Sequence, residues 1–404
     1  MSERAATMTT IGVLGGEWRG AVGPDGSVTP HDGGATLSWA VVAEDRWHHP
    51  GAGASAVRQH RLLGAPVVET AVRVPGGDAV ERVYAVADHG GLTVIEIENR
   101  SNRSFAVVLS RNDLLSSRPA VPAALAGTGA PAGSMSLPVG HGTSVRVALA
   151  HDGRIGGPLP GPVSSAEQVA RGWRAQVDRG PRLVLPDEAL SERLVGARSA
   201  VLLEGPGEPE DDPVGFLLAA QTWVRLGQRG EDLLDDVVVA AERLARQHRR
   251  DALLTWDVDA ALTAAADVAR TVGDDRAAGD TEAVRARLAP GAAPPPADQL
   301  DGLPGPRLIA AVVAGLARRT REALDVLAGL PASWFGQPLD AYGIPIGAGA
   351  ISLAVRWHGA RPALLWESTV EATLRTSRID LTWSSGVPNG EALLGIPPGD
   401  LDQA

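Results

Sequence analysis

The chain contains no cysteine and no lysine. Without cysteine it cannot form disulfides, thiolate metal sites or a cysteine nucleophile. Without lysine it cannot carry a phosphate-binding loop of the G-x-x-x-x-G-K-[ST] type, and arginine supplies every basic side chain. No apolar run approaches the roughly 20 residues that span a bilayer, so no membrane association is predicted.

Other familiar signals are also missing. The net charge is −11 and there is no basic block, which argues against nucleic-acid binding. The N-terminus "MSERAATMTTIGVLGGEWRG" does not have the pattern of a secretion signal, so a cytoplasmic location is predicted. No G-x-S-x-G elbow or H-E-x-x-H spacing occurs, and neither a metal nor a cofactor is expected. The sequence leaves the oligomeric state open.

Tryptophan is the abundant aromatic residue, with 10 tryptophans against 3 phenylalanines and 2 tyrosines. Such large amphipathic rings often line sugar or aromatic-ligand sites. For any single tryptophan, packing in the core is the ordinary alternative.

Residues 8–160 have the pattern of β-structure. Short runs such as Val83 and Ala85 alternating with Arg82 and Tyr84 are separated by "PGGD", "DHGG" and "NRSNRS" at hairpin spacing. Many short strands with turns at this spacing predict an antiparallel β-sandwich domain.

Residues 164–330 change to helical periodicity. Ser164 and Glu167 have capping-box spacing, and Asp187 and Asp212 are candidate N-caps, the latter followed by a proline at the first helical position. The last predicted helix is "RLIAAVVAGLARRTREALDVLAGL", residues 307–330. We therefore expect about seven helices in a domain of antiparallel helical hairpins.

The clearest hairpin is the stretch "ALTAAADVARTVGDDRAAGDTEAVRARLA", residues 261–289. Gly273 should end the first helix, and Asp274 or Asp275 should cap the second. A link this short forces the two helices to be antiparallel.

Residues 340–396 return to β-structure as a short C-terminal tail. Leu353, Val355 and Trp357 lie at alternate positions, and "ALLWE" has the pattern of a buried strand. Two or three strands do not fold alone, so the tail should pack on the other parts and bury Trp357 or Trp366. The predicted class is therefore multidomain α+β: sandwich, helical hairpins and β tail.

The segment "DAALTAAADVARTVGDDRAAGDTEAVRARL" resembles the helical hairpins of (α/α)6-toroid glycosidases of the glucoamylase and glycogen-debranching type. "VIEIENRSNRSFAVVLS" is similar to a strand pair of the N-terminal β-sandwich that those enzymes often carry. The resemblance implies a partial α/α toroid and a carbohydrate-active or carbohydrate-binding protein, either catalytic or catalytically degenerate.

A second resemblance covers nearly the whole chain. "WAVVAEDRWHHP", "RVPGGDAVERVYAVADHGG" and "RWHGARPALLWE" look like a family of uncharacterised actinobacterial proteins, which implies no known activity.

Glycoside hydrolysis needs two carboxyl groups across the scissile bond. In "LLTWDVDAA", Asp257 lies in the first turn of a helix beside Trp256, where it could be a catalytic acid next to a stacking platform. The alternative is that Asp257 and Asp259 only complement the helix dipole. Because these aspartates are two residues apart, they do not share a helix face and are not a catalytic pair with each other.

Glu367 is the second candidate acid, since it follows a buried-looking strand beside Trp366. It could equally be the first solvated residue after that strand. Trp256, Trp366 and Trp47 are the candidate substrate-binding residues, at a site between the β and helical parts. The alternative function is a non-enzymatic interaction or structural protein on the same scaffold, so whether the protein is an enzyme stays open.

Overall fold

A computed structural model describes residues 8–31, 33–44, 46–51, 56–122, 131–248, 255–288, 293–320 and 323–397. The chain divides into two compact units, residues 1–174 and 175–404. The described part holds seven α-helices and several sheets that are almost entirely antiparallel, which confirms the predicted mixed α+β class. Within it, no helix is long and apolar enough to cross a membrane.

The seven helices follow the β-rich first part of the chain. They are α1 (Ala166–Val177), α2 (Glu188–Glu204), α3 (Pro213–Arg225), α4 (Leu234–His248), α5 (Trp256–Thr271), α6 (Asp275–Arg287) and α7 (Gly305–Leu316).

The strands before α1 are β1 (Thr9–Gly12), β2 (Arg19–Val22), β3 (Val28–Pro30), β4 (Trp39–Ala43), β5 (Arg46–His48), β6 (Val57–Arg61), β7 (Val68–Val74), β8 (Gly77–Val86), β9 (Leu92–Asn99), β10 (Phe105–Leu109), β11 (Leu115–Ser116), β12 (Val121–Pro122), β13 (Met135–Val139) and β14 (Ser144–Ala150). The later strands are β15 (Arg182–Val184), β16 (Ala317–Arg319), β17 (Leu324–Val326), β18 (Leu339–Ile346), β19 (Gly349–His358), β20 (Arg361–Ser368), β21 (Leu374–Arg375), β22 (Ser384–Ser385) and β23 (Asn389–Leu393).

The first unit contains a five-stranded sheet (β12-β13-β10-β4-β5), a six-stranded sheet (β11-β14-β9-β8-β7-β6) and a small sheet (β1-β2-β3). Apolar side chains from both larger sheets, among them Val41 and Leu137 on one and Val83 and Ile97 on the other, form a single core. All strand pairs in these sheets are antiparallel.

The alternation predicted along β8 does not separate a buried face from an exposed one. Val80 to Val86 are all buried, including Arg82. Arg82 donates hydrogen bonds to carboxylates on both neighbouring strands: Glu69 at 2.8 Å, Glu96 at 2.9 Å and Glu98 at 2.7 Å. These ion pairs allow polar residues to be buried on the sheet face that turns away from the apolar core.

Most predicted helix starts are confirmed. The carboxylates of Asp187, Asp212 and Asp274 accept backbone N–H bonds at the N-termini of α2, α3 and α6. The capping box before α1 lies one residue later than the sequence predicts. Ser165 and Gln168 form it instead, through reciprocal bonds of 2.8 and 3.3 Å.

The prediction of one helix over residues 307–330 was wrong. Helix α7 ends at Leu316, and the chain continues as the antiparallel pair β16 and β17. Strand β17 is fully buried and also pairs in parallel with β21. These long-range pairings outweigh the helical periodicity of the segment.

In the second unit, strands and helices share one apolar core. Leu190 of α2 and Leu308 of α7 belong to the same cluster as Leu353, Leu364 and Trp366 from the five-stranded sheet β15-β18-β19-β20-β23. The C-terminal strands therefore do pack on helices and bury Trp366, as predicted, whereas Trp357 is half-buried. Helices α3, α4 and α5 enclose a further apolar cluster.

Candidate functional site

The second unit contains a cleft between its helices and strands. Residues of α2, α3, α5, α6 and α7 line it, together with β16 and the end of β18. It encloses about 1030 Å³ when the solvent at its open side is included. Leu218, Ile309 and Val313 make part of the wall apolar, as in most small-molecule sites.

Asp267 is a buried carboxylate of the cleft. Its carboxylate accepts hydrogen bonds from Gln221 at 2.7 Å, from Arg225 at 2.5 Å and from Arg270 at 3.1 Å. Burial raises the pKa of Asp267 and lowers that of Arg225 to about 10. The carboxylate and the guanidinium lie within hydrogen-bond distance of each other, and this ion pair ties α3 to α5.

A second ion pair connects α5 to α6. Arg285 binds Asp259 through two bonds, of 2.6 and 2.9 Å, in the bidentate arrangement that orients a guanidinium rigidly. The first residue of α5, Trp256, lines the same cleft and packs partly against the core. The cleft therefore combines an indole with a fixed, planar Asp–Arg pair.

Positive charge predominates in this cleft. Five arginines and two aspartates line it, and Arg318 also pairs with the buried Asp325 behind the lining at 3.5 Å, which leaves a formal excess of two positive charges. The arginines are Arg198, Arg225, Arg285, Arg318 and Arg319. Arg319 is exposed, and its guanidinium forms no ion pair or hydrogen bond within the described residues. In a chain of net charge −11, this local sign favours anions.

Asp257, the predicted catalytic acid, lies in the first turn of α5, as expected, but is not part of the cleft lining. Its carboxylate accepts a hydrogen bond from Arg307 at 3.1 Å and others from the Thr255 hydroxyl and the Val258 backbone. Asp257 and Asp259 thus pair with different arginines, which agrees with the prediction that they do not share a helix face.

Glu367 and Trp366 lie on opposite faces of β20. Glu367 is exposed and stands between Ser352 and Asn389 of the neighbouring strands. Trp366 is a core residue that donates its indole N–H to the carbonyl of Val387 at 3.0 Å. Neither residue lines the cleft.

Trp47 belongs to the first unit, on β5. It is half-buried, and its ring stacks on His49 with centroids 5.2 Å apart. Of the three candidate substrate-binding tryptophans, the structure thus places Trp256 in the cleft. No group of three or more metal-ligating side chains occurs within the described residues.

The polar residues of the cleft were not singled out from the sequence, apart from Asp259. A usable signal existed: Gln221 and Arg225 are four residues apart on an otherwise apolar helix, "PVGFLLAAQTWVR", and so share one face. Asp267 lies in the similarly apolar middle of α5. Polar residues on a buried helix face need hydrogen-bond partners, and Gln221 and Arg225 both donate to Asp267.

No protein-family model and no curated protein matches this chain.

Proposed function

We propose that the protein binds a small organic anion in the cleft of its second unit. The observation that carries this proposal is the excess of arginine over aspartate around a partly apolar cavity that also contains Trp256. Guanidinium groups bind carboxylates and phosphates through paired hydrogen bonds, and the exposed Arg319 is placed to do so.

A carbohydrate that carries an acidic group, such as a sugar phosphate or a sugar acid, is the ligand class that we favour. The apolar face of a sugar ring would stack on Trp256, and the Asp259–Arg285 pair would bind ring hydroxyls. Asp259 can accept from a hydroxyl while Arg285 donates to one. An acidic carbohydrate is a narrower ligand class than the carbohydrate that the sequence predicts.

The carboxylates favour binding over glycoside hydrolysis. Asp259 and Asp267 are eight residues apart on α5, roughly 12 Å along a helix axis. Retaining and inverting glycosidases place their carboxyl groups roughly 5 to 9.5 Å apart. Both aspartates are also engaged with arginines, whereas Asp257 and Glu367 lie outside the cleft. If the chain is related to the glycosidases, these carboxylate positions favour a catalytically degenerate relative.

The relationship to α/α-toroid glycosidases is likewise a proposal. The α5–α6 hairpin with its short link supports it, because Gly273 ends one helix and Asp274 caps the next. A complete toroid has about twelve helices, against seven in the described part of this chain. We therefore propose at most a partial toroid, and membership of the actinobacterial family rests on the sequence segments alone.

Calorimetric titration with matched ligands tests the proposed function. Glucose, glucuronate and glucose 6-phosphate share a ring and differ in charge. We expect the two anions to bind, glucose to bind at least tenfold more weakly, and added salt to weaken the anions. Arg319→Glu and Trp256→Ala should each weaken binding, whereas Arg287→Glu, on the exposed part of α6, should not. Equal affinity for glucose, or no binding of any anion, would overturn the proposal.

The alternative of a non-enzymatic interaction protein also has an observation in its favour. One face of the second unit's five-stranded sheet carries several exposed apolar side chains. The two functions are compatible, because none of these exposed apolar side chains lines the cleft.

A further inference from the structure

One sheet surface concentrates exposed apolar side chains. We call it the open face: the solvent-exposed side of the sheet β15-β18-β19-β20-β23. Twelve large apolar residues are exposed in the described part of the chain, and four of them lie here: Val184, Tyr342, Leu365 and Leu393. An antiparallel sheet can leave one face in water, but such a face then normally carries polar residues.

The strand register shows that these residues lie on one side. Leu365 pairs with Ala354 and Glu391, and Leu393 pairs with Ala363. Arg182 pairs with Tyr342 across the first two strands, and its guanidinium carbon lies 5.9 Å from the tyrosine ring centroid. Leu353, Leu364 and Trp366 point to the opposite side and are buried in the core.

Unpaired charges of opposite sign lie towards opposite edges of the open face. Arg182 is on β15, one edge strand, and forms no ion pair within the described residues. Glu391 is on β23, the other edge strand, with Glu367 beside it on β20, and neither forms an ion pair there. Near the centre, Asp340 and Arg356 already neutralise each other at 2.7 Å.

We propose that two copies of this chain associate through their open faces, related by a two-fold axis that lies between the two sheets and runs parallel to the central strand β19. The axis sets β15 of one copy against β23 of the other, and β18 against β20. Arg182 then faces the strand that carries Glu391, and Tyr342 faces the strand that carries Leu365. A self-complementary surface of this kind is what a two-fold dimer requires. Two sheets that pack face to face keep their strands roughly aligned, within about 30°.

The area of the open face determines how strongly the two copies are expected to associate. The five strands are three to ten residues long, and at a spacing of about 4.8 Å and a rise of about 3.3 Å per residue they cover roughly 500 Å². Two such faces bury roughly 1000 Å², the lower end of specific interfaces. We therefore expect a concentration-dependent dimer with a dissociation constant on the order of micromolar, not a permanent one.

Sedimentation velocity of the full chain over a hundredfold concentration range tests the proposal. The wild type should change from monomer to dimer, and Leu365→Glu should raise the dissociation constant at least tenfold, because it places a charge in the centre of the interface. Val239→Glu is the matched control, since Val239 is also an exposed aliphatic residue, 56% exposed, and lies on α4. Circular dichroism verifies that each variant is folded.

Charge reversal provides a second test that does not depend on the Leu365 variant. Arg182→Glu and Glu391→Arg should each weaken the dimer several-fold, and the double variant should recover most of the loss, since the pair is rebuilt with reversed sign. A monomer at every concentration would overturn the proposal. A dimer that is indifferent to Leu365→Glu, or charge variants without mutual rescue, would overturn it as well.

Discussion

Gly329 donates its backbone N–H to the carbonyl oxygen of Gly315 at 2.8 Å, where the end of α7 meets the segment that follows β17. A Cβ atom on Gly329 would lie 2.7 Å from the Cα of Gly315. Two glycines thus permit a close backbone approach that joins the helix end to the small sheet.

Gly329→Ala should lower the free energy of unfolding by roughly 1–3 kcal/mol, because backbone atoms must move to admit the methyl group. Gly279→Ala is the control: this glycine lies inside α6 with no atom near its virtual Cβ. At this position alanine should raise the free energy of unfolding by about 0.5–1 kcal/mol, because alanine has the higher helix propensity. Urea denaturation measures both, and equal effects of the two substitutions would contradict the close approach.

Arg82→Met should destabilise the first unit by roughly 3 kcal/mol, because it removes one of the two arginines that pair with each of the buried carboxylates Glu69 and Glu96 and leaves only Arg100 and Arg146. Arg58→Met is the control, since Arg58 is 59% exposed and pairs with Asp78 at the surface; the loss there should stay below about 1 kcal/mol. Thermal and urea unfolding provide the comparison. If Glu69→Gln and Glu96→Gln do not restore part of the loss in the Arg82 variant, uncompensated charge is not its cause.

Glu81→Gln should stabilise the protein at neutral pH. Burial raises the pKa of Glu81 well above its usual 4.5, the charge of Asp25 raises it further, and Glu81 Oε2 has no hydrogen-bond partner within the described residues. The folded chain therefore keeps a proton that the unfolded chain releases above pH 4.5. The stability that this proton contributes is complete below pH 4.5 and is lost as pH rises through the folded-state pKa.

Denaturation curves at pH 4 and pH 7 test this prediction. The gain from Glu81→Gln should be larger at pH 7 than at pH 4, while Glu17→Gln, at an exposed position of the same unit, should change little at either pH. A gain that is the same at both pH values would exclude proton linkage through Glu81.

Asp267→Asn should lower the free energy of unfolding by roughly 3 kcal/mol, because it removes the counter-charge of the buried Arg225. The control is Asp301→Asn: Asp301 is 95% exposed and pairs with Arg193, so its loss should be within about 1 kcal/mol. Chemical denaturation gives the values. An unaltered stability of the Asp267 variant would mean that the α3–α5 connection is not maintained by this charge.

Removal of residues 340–404 should abolish cooperative folding of the second unit. The deletion takes away Leu353, Leu364 and Trp366, which pack in one core with Leu190 of α2 and Leu308 of α7. We expect an insoluble or molten product with helical far-ultraviolet but weak near-ultraviolet circular dichroism. A soluble truncated chain with a sharp unfolding transition would contradict this prediction.

The sequence by itself determined the parts of the structure that depend on neighbours along the chain. Asp187, Asp212 and Asp274 cap helices because a carboxylate binds N–H groups two or three residues ahead, whatever the rest of the chain does. Gly273 ends α5 because its positive φ costs glycine little. For the candidate site, the same local reasoning placed Asp257 and Asp259 in the first turn of a helix, beside Trp256.

Only the tertiary structure decided which residues distant in the sequence come together in a sheet, in the core or in the cleft. The helical pattern of residues 307–330 ends at Leu316 because β17 pairs with β21, a partner about fifty residues away. Asp259 lines the cleft and Asp257 does not, because Arg285 and Arg307 approach α5 from different elements. Burial of charge in Arg82 and Asp267 likewise requires partners from other strands and helices, and periodicity along the chain carries no record of such partners.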